Sequence, residues 1–195
     1  MDSTLSAYMM KKEGYEIIAV HFNYDQRTQT KELECFENIS KALDVKEKYV
    51  LDLDFFKQLG ASALTDKNIE VPTDGIEEGV PVTYVPFRNG IFLSMAAAIA
   101  EKEGAQVISI GVVEEDSSGY PDCRDSFVTA LNAALNEGSN SKVEILTPLM
   151  YLTKAETFKL AEKCDFIDTV INDSHTCYNG RRGAIFHHEW GHGCG

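Results

Sequence analysis

Short apolar runs alternate with helical periods along this chain, and that alternation limits the fold more than any other feature. Glu16 to Phe22 (EIIAVHF) and Gln106 to Val113 read as buried strands. Lys48 to Leu53 alternates weakly, and Val143 to Leu146 is a short strand. Helical patterns separate them. Thr30 to Leu43 carries Phe36, Ile39 and Leu43 on one face. Asn89 to Glu103 is Ala-rich and closed by Gly104, and Arg124 to Asn136 follows the third strand. Thr153 to Cys164 opens on a capping box, Thr153-Lys154-Ala155-Glu156. Leu5 to Lys12 is a further helix, with Asp2, Ser3 and Thr4 as cap chemistry and Gly14 as its stop. Strands alternating with helices specify an α/β class with a doubly wound, mostly parallel sheet. The opening helix needs a sheet to pack on, and in such folds the first strand usually lies mid-sheet. The sequence is therefore expected to lack its first strand. Phe55 to Glu78 reads as an excursion with a short helix, and after about Asn172 periodicity is lost in a Gly- and His-rich stretch. The expected organisation is one α/β domain over 1–171 and a tail over 172–195.

Composition narrows the partners. A chain of 195 residues is long enough for one buried core. Its net charge of −13 repels phosphate backbones, so nucleic-acid binding is not expected, although a few Arg residues can reverse the field inside a cleft. No apolar run reaches membrane-spanning length and no signal peptide is visible, which points to a cytoplasmic protein. Five Cys, an odd number, fit free thiols in a reducing compartment.

Several segments concentrate chemistry. Open parallel sheets bind ligands just past the carboxyl ends of their strands. Ser118-Gly119-Tyr120-Pro121-Asp122-Cys123-Arg124-Asp125 occupies such a position. Asp122 or Asp125 can accept N–H bonds from a guanine-like edge, Tyr120 can stack on a ring, and Arg124 can pair with an acid; the plainer reading is a turn and a helix cap. At Met1-Asp2-Ser3-Thr4 a helix mouth offers free N–H groups to a phosphate, or is simply capped. In Tyr84-Val85-Pro86-Phe87-Arg88-Asn89-Gly90, Arg88 can clamp a carboxylate or phosphate while Asn89 caps the helix, or Arg88 is solvated. Asn23-Tyr24-Asp25-Gln26-Arg27 lies past another strand and lines the same edge, or is a polar connection. The tail holds His175, Cys177, His187, His188, His192 and Cys194, residue types that ligate zinc, though their spacing matches no compact zinc motif.

Taken together, the chain resembles the 7-cyano-7-deazaguanine synthase family within the N-type ATP pyrophosphatases (PP-loop enzymes). The resemblance rests on Asp2-Ser3-Thr4, Val85-Pro86-Phe87-Arg88-Asn89, Gly111-Val112 with Glu114, Ser118 through Asp125, Thr147-Pro148-Leu149, Lys154-Ala155-Glu156-Thr157, Thr176-Cys177-Tyr178-Asn179-Gly180 and Gly193-Cys194-Gly195. The family's PP-loop reads Ser-Gly-Gly-x-Asp-Ser; Met1 falls at x, and the Ser-Gly-Gly and its strand are absent. The family's zinc site uses four Cys, of which Cys177 and Cys194 match the first two. The resemblance implies an adenine nucleotide alpha-hydrolase-like fold with a small zinc region. It implies an ATP-dependent ligase of queuosine biosynthesis that converts 7-carboxy-7-deazaguanine and ammonia to the nitrile, with ATP, Mg2+ and Zn2+ as cofactors and a homodimer as a possible assembly. Asp2, Ser3, Thr4 and Leu5 would hold ATP; Asp2, Ser3, Arg88 and Arg124 would be catalytic; Tyr120, Asp122 and Arg124 would bind the deazaguanine. Another PP-loop enzyme (a tRNA thiolase or an amide-forming synthetase) and a catalytically dead remnant that binds the ligand are the competing readings.

Overall fold

The computed structural model describes residues 1–60, 62–71, 79–113 and 119–178. In chain order these residues form α1 (Asp2–Lys12), β1 (Ile18–Asn23), α2 (Gln29–Ala42), β2 (Glu47–Asp52), α3 (Phe55–Leu59) and α4 (Arg88–Glu103). There follow β3 (Val107–Ser109), a 3-10 turn (Pro121–Cys123), α5 (Asp125–Gly138), β4 (Glu144–Leu146), α6 (Lys154–Lys163) and α7 (Ile167–Asp173). None of the helices among the described residues is long and apolar enough to cross a membrane.

All strand pairing is parallel among the described residues. β1 runs beside β2, with Ile18 opposite Glu47 and Asn23 opposite Asp52. β3 runs beside β4, with Val107 opposite Glu144 and Ser109 opposite Leu146. The expected single sheet is thus two parallel pairs, because no backbone ladder among the described residues joins them. Helices span the gap instead. From α4, Leu93, Ala97 and Ala100 pack with Ile108, Ile145 and Val128 of the β3–β4 half. The same helix turns Phe92 onto Phe22 of β1, ring centroids 4.1 Å apart.

The opposite face is covered by α1. Successive strand residues point to opposite sides, so Ile108 faces α4 while Ser109 meets Ser6 of α1, hydroxyl to hydroxyl at 2.7 Å. Leu5 is fully buried there with Leu43, Val113, Leu149, Ala161, Phe166 and Val170. Burying one such leucine stabilises the fold by about 1.5–3 kcal/mol. The capping box at α6 forms as read: the Thr153 side chain accepts from the Glu156 backbone N–H while the Glu156 carboxylate accepts from that of Thr153.

Several boundaries differ from the sequence reading. α1 starts at Asp2, so Asp2, Ser3 and Thr4 are its first turn, and Met1 is the N-cap without a side-chain cap bond. β3 ends at Ser109 instead of Val113. Ile110 still donates to Leu146 O at 3.1 Å, and then the chain leaves the ladder because Gly111 abuts the start of α1. Helix α7 was not visible in the periodicity; Asp165, in the left-handed region at φ 56°, separates it from α6.

Gly111 is where β3 and α1 come closest. A Cβ there would lie 2.4 Å from Asp2 C and Ser3 N, both backbone atoms that cannot swing aside. Gly111→Ala should therefore lower stability by about 1–3 kcal/mol through overpacking. A melting temperature equal to that of the unmodified protein would show that the strand and helix can separate without cost.

Candidate active site at the carboxyl ends of the strands

Three segments that follow strands or open helices converge on Arg88, the first residue of α4. The approach is set by Phe87, whose backbone is left-handed at φ 56°, a rare state for a bulky residue. The Tyr84 hydroxyl holds that turn by accepting from the Phe87 N–H at 3.0 Å. Arg88 is half-buried and donates to the Tyr24 hydroxyl at 3.0 Å, with its guanidinium carbon 5.6 Å from the Tyr24 ring centre. No carboxylate lies within ion-pair distance of Arg88 among the described residues. Burial opposes its charge, but Tyr24, Tyr178 and Asp122 outweigh that and hold its pKa above the ordinary arginine value.

Around it stand more hydroxyls. The Tyr120 hydroxyl is 2.6 Å from that of Thr83, and Tyr178 packs against the cluster of Tyr24, Phe56 and Val85. Burial is the main cause that pushes the Tyr24 and Tyr178 hydroxyls above the usual phenol range. They remain protonated donors at neutral pH.

Asp122 does something the sequence did not reveal. α4 has no cap from its own neighbours: Phe87 occupies the N-cap position without a side-chain bond, and Asn89 lies inside the helix. Instead Asp122 Oδ2 accepts the Asn89 N–H at 2.8 Å, and the Asn89 amide reaches Cys123 Sγ at 3.2 Å. With only 4 % of its surface exposed, Asp122 ties the turn after β3 to the start of α4. Arg124 stands exposed at the N-cap of α5.

A second cluster lies at the mouth of α1. Lys154, first residue of α6, donates to Asp2 Oδ2 at 2.7 Å. The other oxygen, Oδ1, is buried without a hydrogen-bond partner among the described residues. Ser3 is exposed and Thr4 buried. Leu5 donates its N–H to Met1 O at 3.0 Å and places its side chain in the core, so it offers nothing to a ligand.

The family model for "Queuosine biosynthesis protein QueC" matches residues 1–195. The chain belongs to the QueC family. It is 56 % identical over 186 residues to a 7-cyano-7-deazaguanine synthase from Sulfurimonas denitrificans, covering 94 % of this chain and 82 % of that one. The corresponding protein of a Nitratiruptor species is 62 % identical over 162 residues, 82 % of this chain and 73 % of its own. That of Campylobacter jejuni is 58 % identical over 167 residues, 84 % of this chain and 75 % of its own.

In this QueC-family chain the Asn23–Arg27 stretch divides its labour. Asn23 donates to Asp52 at 2.9 Å and Gln26 accepts the Tyr24 N–H at 2.8 Å. Arg27 is structural: it donates to the carbonyls of Ala63, Asp66 and Ile69 and pins the loop after α3. Tyr24, Lys154 and Tyr178 fall in segments that the sequence singled out without assigning them a role, and Thr83 lies in none of those segments. The signal for Tyr24 was its place just past β1, and for Lys154 its place at the start of a capped helix.

The tail is described only as far as Tyr178. Cys177 is buried, and His175 bonds its carbonyl at 2.8 Å. Cys194, Ser118, Glu114, His187, His188 and His192 lie outside the described residues. Among those described, no three His, Cys, Asp or Glu side chains gather into a metal-holding group, so these residues do not by themselves compose the expected zinc site.

Asp122→Ala leaves the buried Asn89 N–H without an acceptor and should cost about 1–3 kcal/mol of stability. Asp122→Asn keeps an oxygen acceptor and should restore most of it. Urea melts of the two variants test this, and equal midpoints would show that the cap contributes nothing.

Proposed function

We propose that this chain makes 7-cyano-7-deazaguanine from 7-carboxy-7-deazaguanine, ammonia and ATP. Support comes from the full-length match to the QueC family and from relatives named for that product. The structural observation that carries it is Arg88, a half-buried guanidinium with no carboxylate partner among the described residues, set at the carboxyl ends of parallel strands.

A carboxylate is a poor acyl donor because its leaving group would be oxide. Attack of its oxygen on the α-phosphate of ATP breaks the α–β bridge, releases pyrophosphate and leaves an acyl-adenylate. Ammonia adds to the acyl carbon, expels AMP, loses a proton and gives the amide. The amide oxygen then attacks the α-phosphate of a second ATP, which releases a second pyrophosphate while one N–H proton is lost; departure of AMP with the remaining N–H proton leaves the nitrile. Each activation develops negative charge on pyrophosphate, and fixed donors stabilise it.

The residues divide accordingly. The Asp2, Ser3 and Thr4 N–H groups at the mouth of α1 face the ATP phosphates, with Lys154 beside them as a cation. Arg88 grips the acid, and Arg124 is the second candidate for an anion. Tyr120 supplies a ring for the purine-like base. Asp122 fixes the turn that carries Tyr120 and keeps Oδ1 for an N–H of the base. The doubly wound PP-loop fold, Mg2+ with ATP, and a zinc ion held through Cys177 and Cys194 belong to the same proposal; no step is assigned to either metal.

An ATP–pyrophosphate exchange assay tests the reaction. Exchange should depend on 7-carboxy-7-deazaguanine, and Arg88→Ala should lower its kcat/KM for the acid by about 100-fold, as expected for losing a desolvated charged hydrogen bond. Exchange that proceeds equally without the acid, or only with an unrelated acid, would sink this assignment.

A further inference from the structure

Counting donors and acceptors around Arg88 exposes an imbalance. The guanidinium offers five N–H groups, and each phenol or hydroxyl offers one O–H. Arg88 uses Tyr24 as an acceptor, and the Tyr120 and Thr83 hydroxyls share one hydrogen bond. Tyr24 touches the guanidinium itself. Its oxygen receives the Arg88 proton, but its own O–H has no acceptor among the described residues. The side chain is rigidly placed: 7 % exposed, with its ring 5.7 Å from that of Phe56 and 5.6 Å from that of Phe92. Gln26 fixes its backbone N–H. A buried donor with nothing to donate to is costly unless a ligand completes it.

We infer that Tyr24 is a second anion-binding residue, donating its hydroxyl proton to the same oxyanion that Arg88 holds. The pair forms a fork, one arm charged and one neutral. The neutral arm has a use in this reaction sequence: it adds a directional bond to an anionic oxygen without adding charge that would hold the product. This inference rests on the reading that Arg88 grips an anion. The oxyanion belongs either to the carboxylate of the acid or to a phosphate of ATP.

Calorimetric titrations of the purified protein distinguish these cases, using 7-carboxy-7-deazaguanine, its neutral carboxamide and ATP as separate probes. Tyr24→Phe keeps the ring, so its melting temperature should match that of the unmodified protein. It should weaken one anion by about 10- to 100-fold, the range for a hydrogen bond to a charged group. Loss for the acid but not the carboxamide assigns the fork to the carboxylate; loss for ATP alone assigns it to a phosphate. Equal loss for acid and carboxamide means that Tyr24 acts only by packing or through Arg88, and overturns the inference. If Arg88→Ala weakens an anion and Tyr24→Phe weakens none, the inference alone is overturned. If Arg88→Ala weakens neither anion, the reading of Arg88 itself fails.

Discussion

One hydrogen bond organises the site: the Asp122 carboxylate accepting the N–H of Asn89. Helix starts leave their first N–H groups without partners, and a nearby acceptor normally comes from the residue just before the helix. Here it comes from 33 residues further along the chain. The consequence is that α4 cannot begin properly until the turn after β3 is in place. Arg88 and Tyr120, on the two sides of that bond, are therefore fixed relative to each other. The same helix packs on both strand pairs, so the bond also registers the β1–β2 half against the β3–β4 half.

The electrostatics follow from this placement. The chain carries −13 overall, which would repel a triphosphate and a carboxylic acid alike. Among the described residues, Arg88, Lys154 and the N–H groups of a helix mouth are the positive groups of the candidate site. Phenols surround Arg88, and Lys154 donates to a carboxylate oxygen of Asp2. Neutral donors are suited to this work. A neutral O–H adds a directional bond to an oxygen without adding positive charge.

Much of the framework could be read directly from the residues. Apolar periodicity located β1, β2, β3 and β4 and the helices α1, α2, α4, α5 and α6, and the Thr153–Glu156 box gave a correct cap because its chemistry is local. What failed was whatever depends on partners distant in sequence. Asp122 read as an acceptor for a guanine-like edge or as a cap for its own turn, since nothing in Tyr120-Pro121-Asp122-Cys123 announces α4 as its partner. Tyr24 and Thr83 are ordinary residues until the fold brings them to Arg88 and Tyr120. The Asn23–Arg27 stretch could line the strand edge or merely connect, and within it Arg27 braces backbone carbonyls. α7 escaped notice because a helix of 7 residues is too short for its periodicity to stand out.

Gly90 lies inside α4, where alanine would ordinarily be the better helix former. A Cβ at this position would meet the Phe87 ring at 2.4 Å, and that ring rests edge-on against Phe127. Filling the space would evict the aromatic from its perch and disturb the left-handed bend that aims the guanidinium. The helix thus carries a deliberate notch. Attempts to make this protein hardier by the usual glycine replacements would gain local rigidity at the expense of aim, and should leave this position alone.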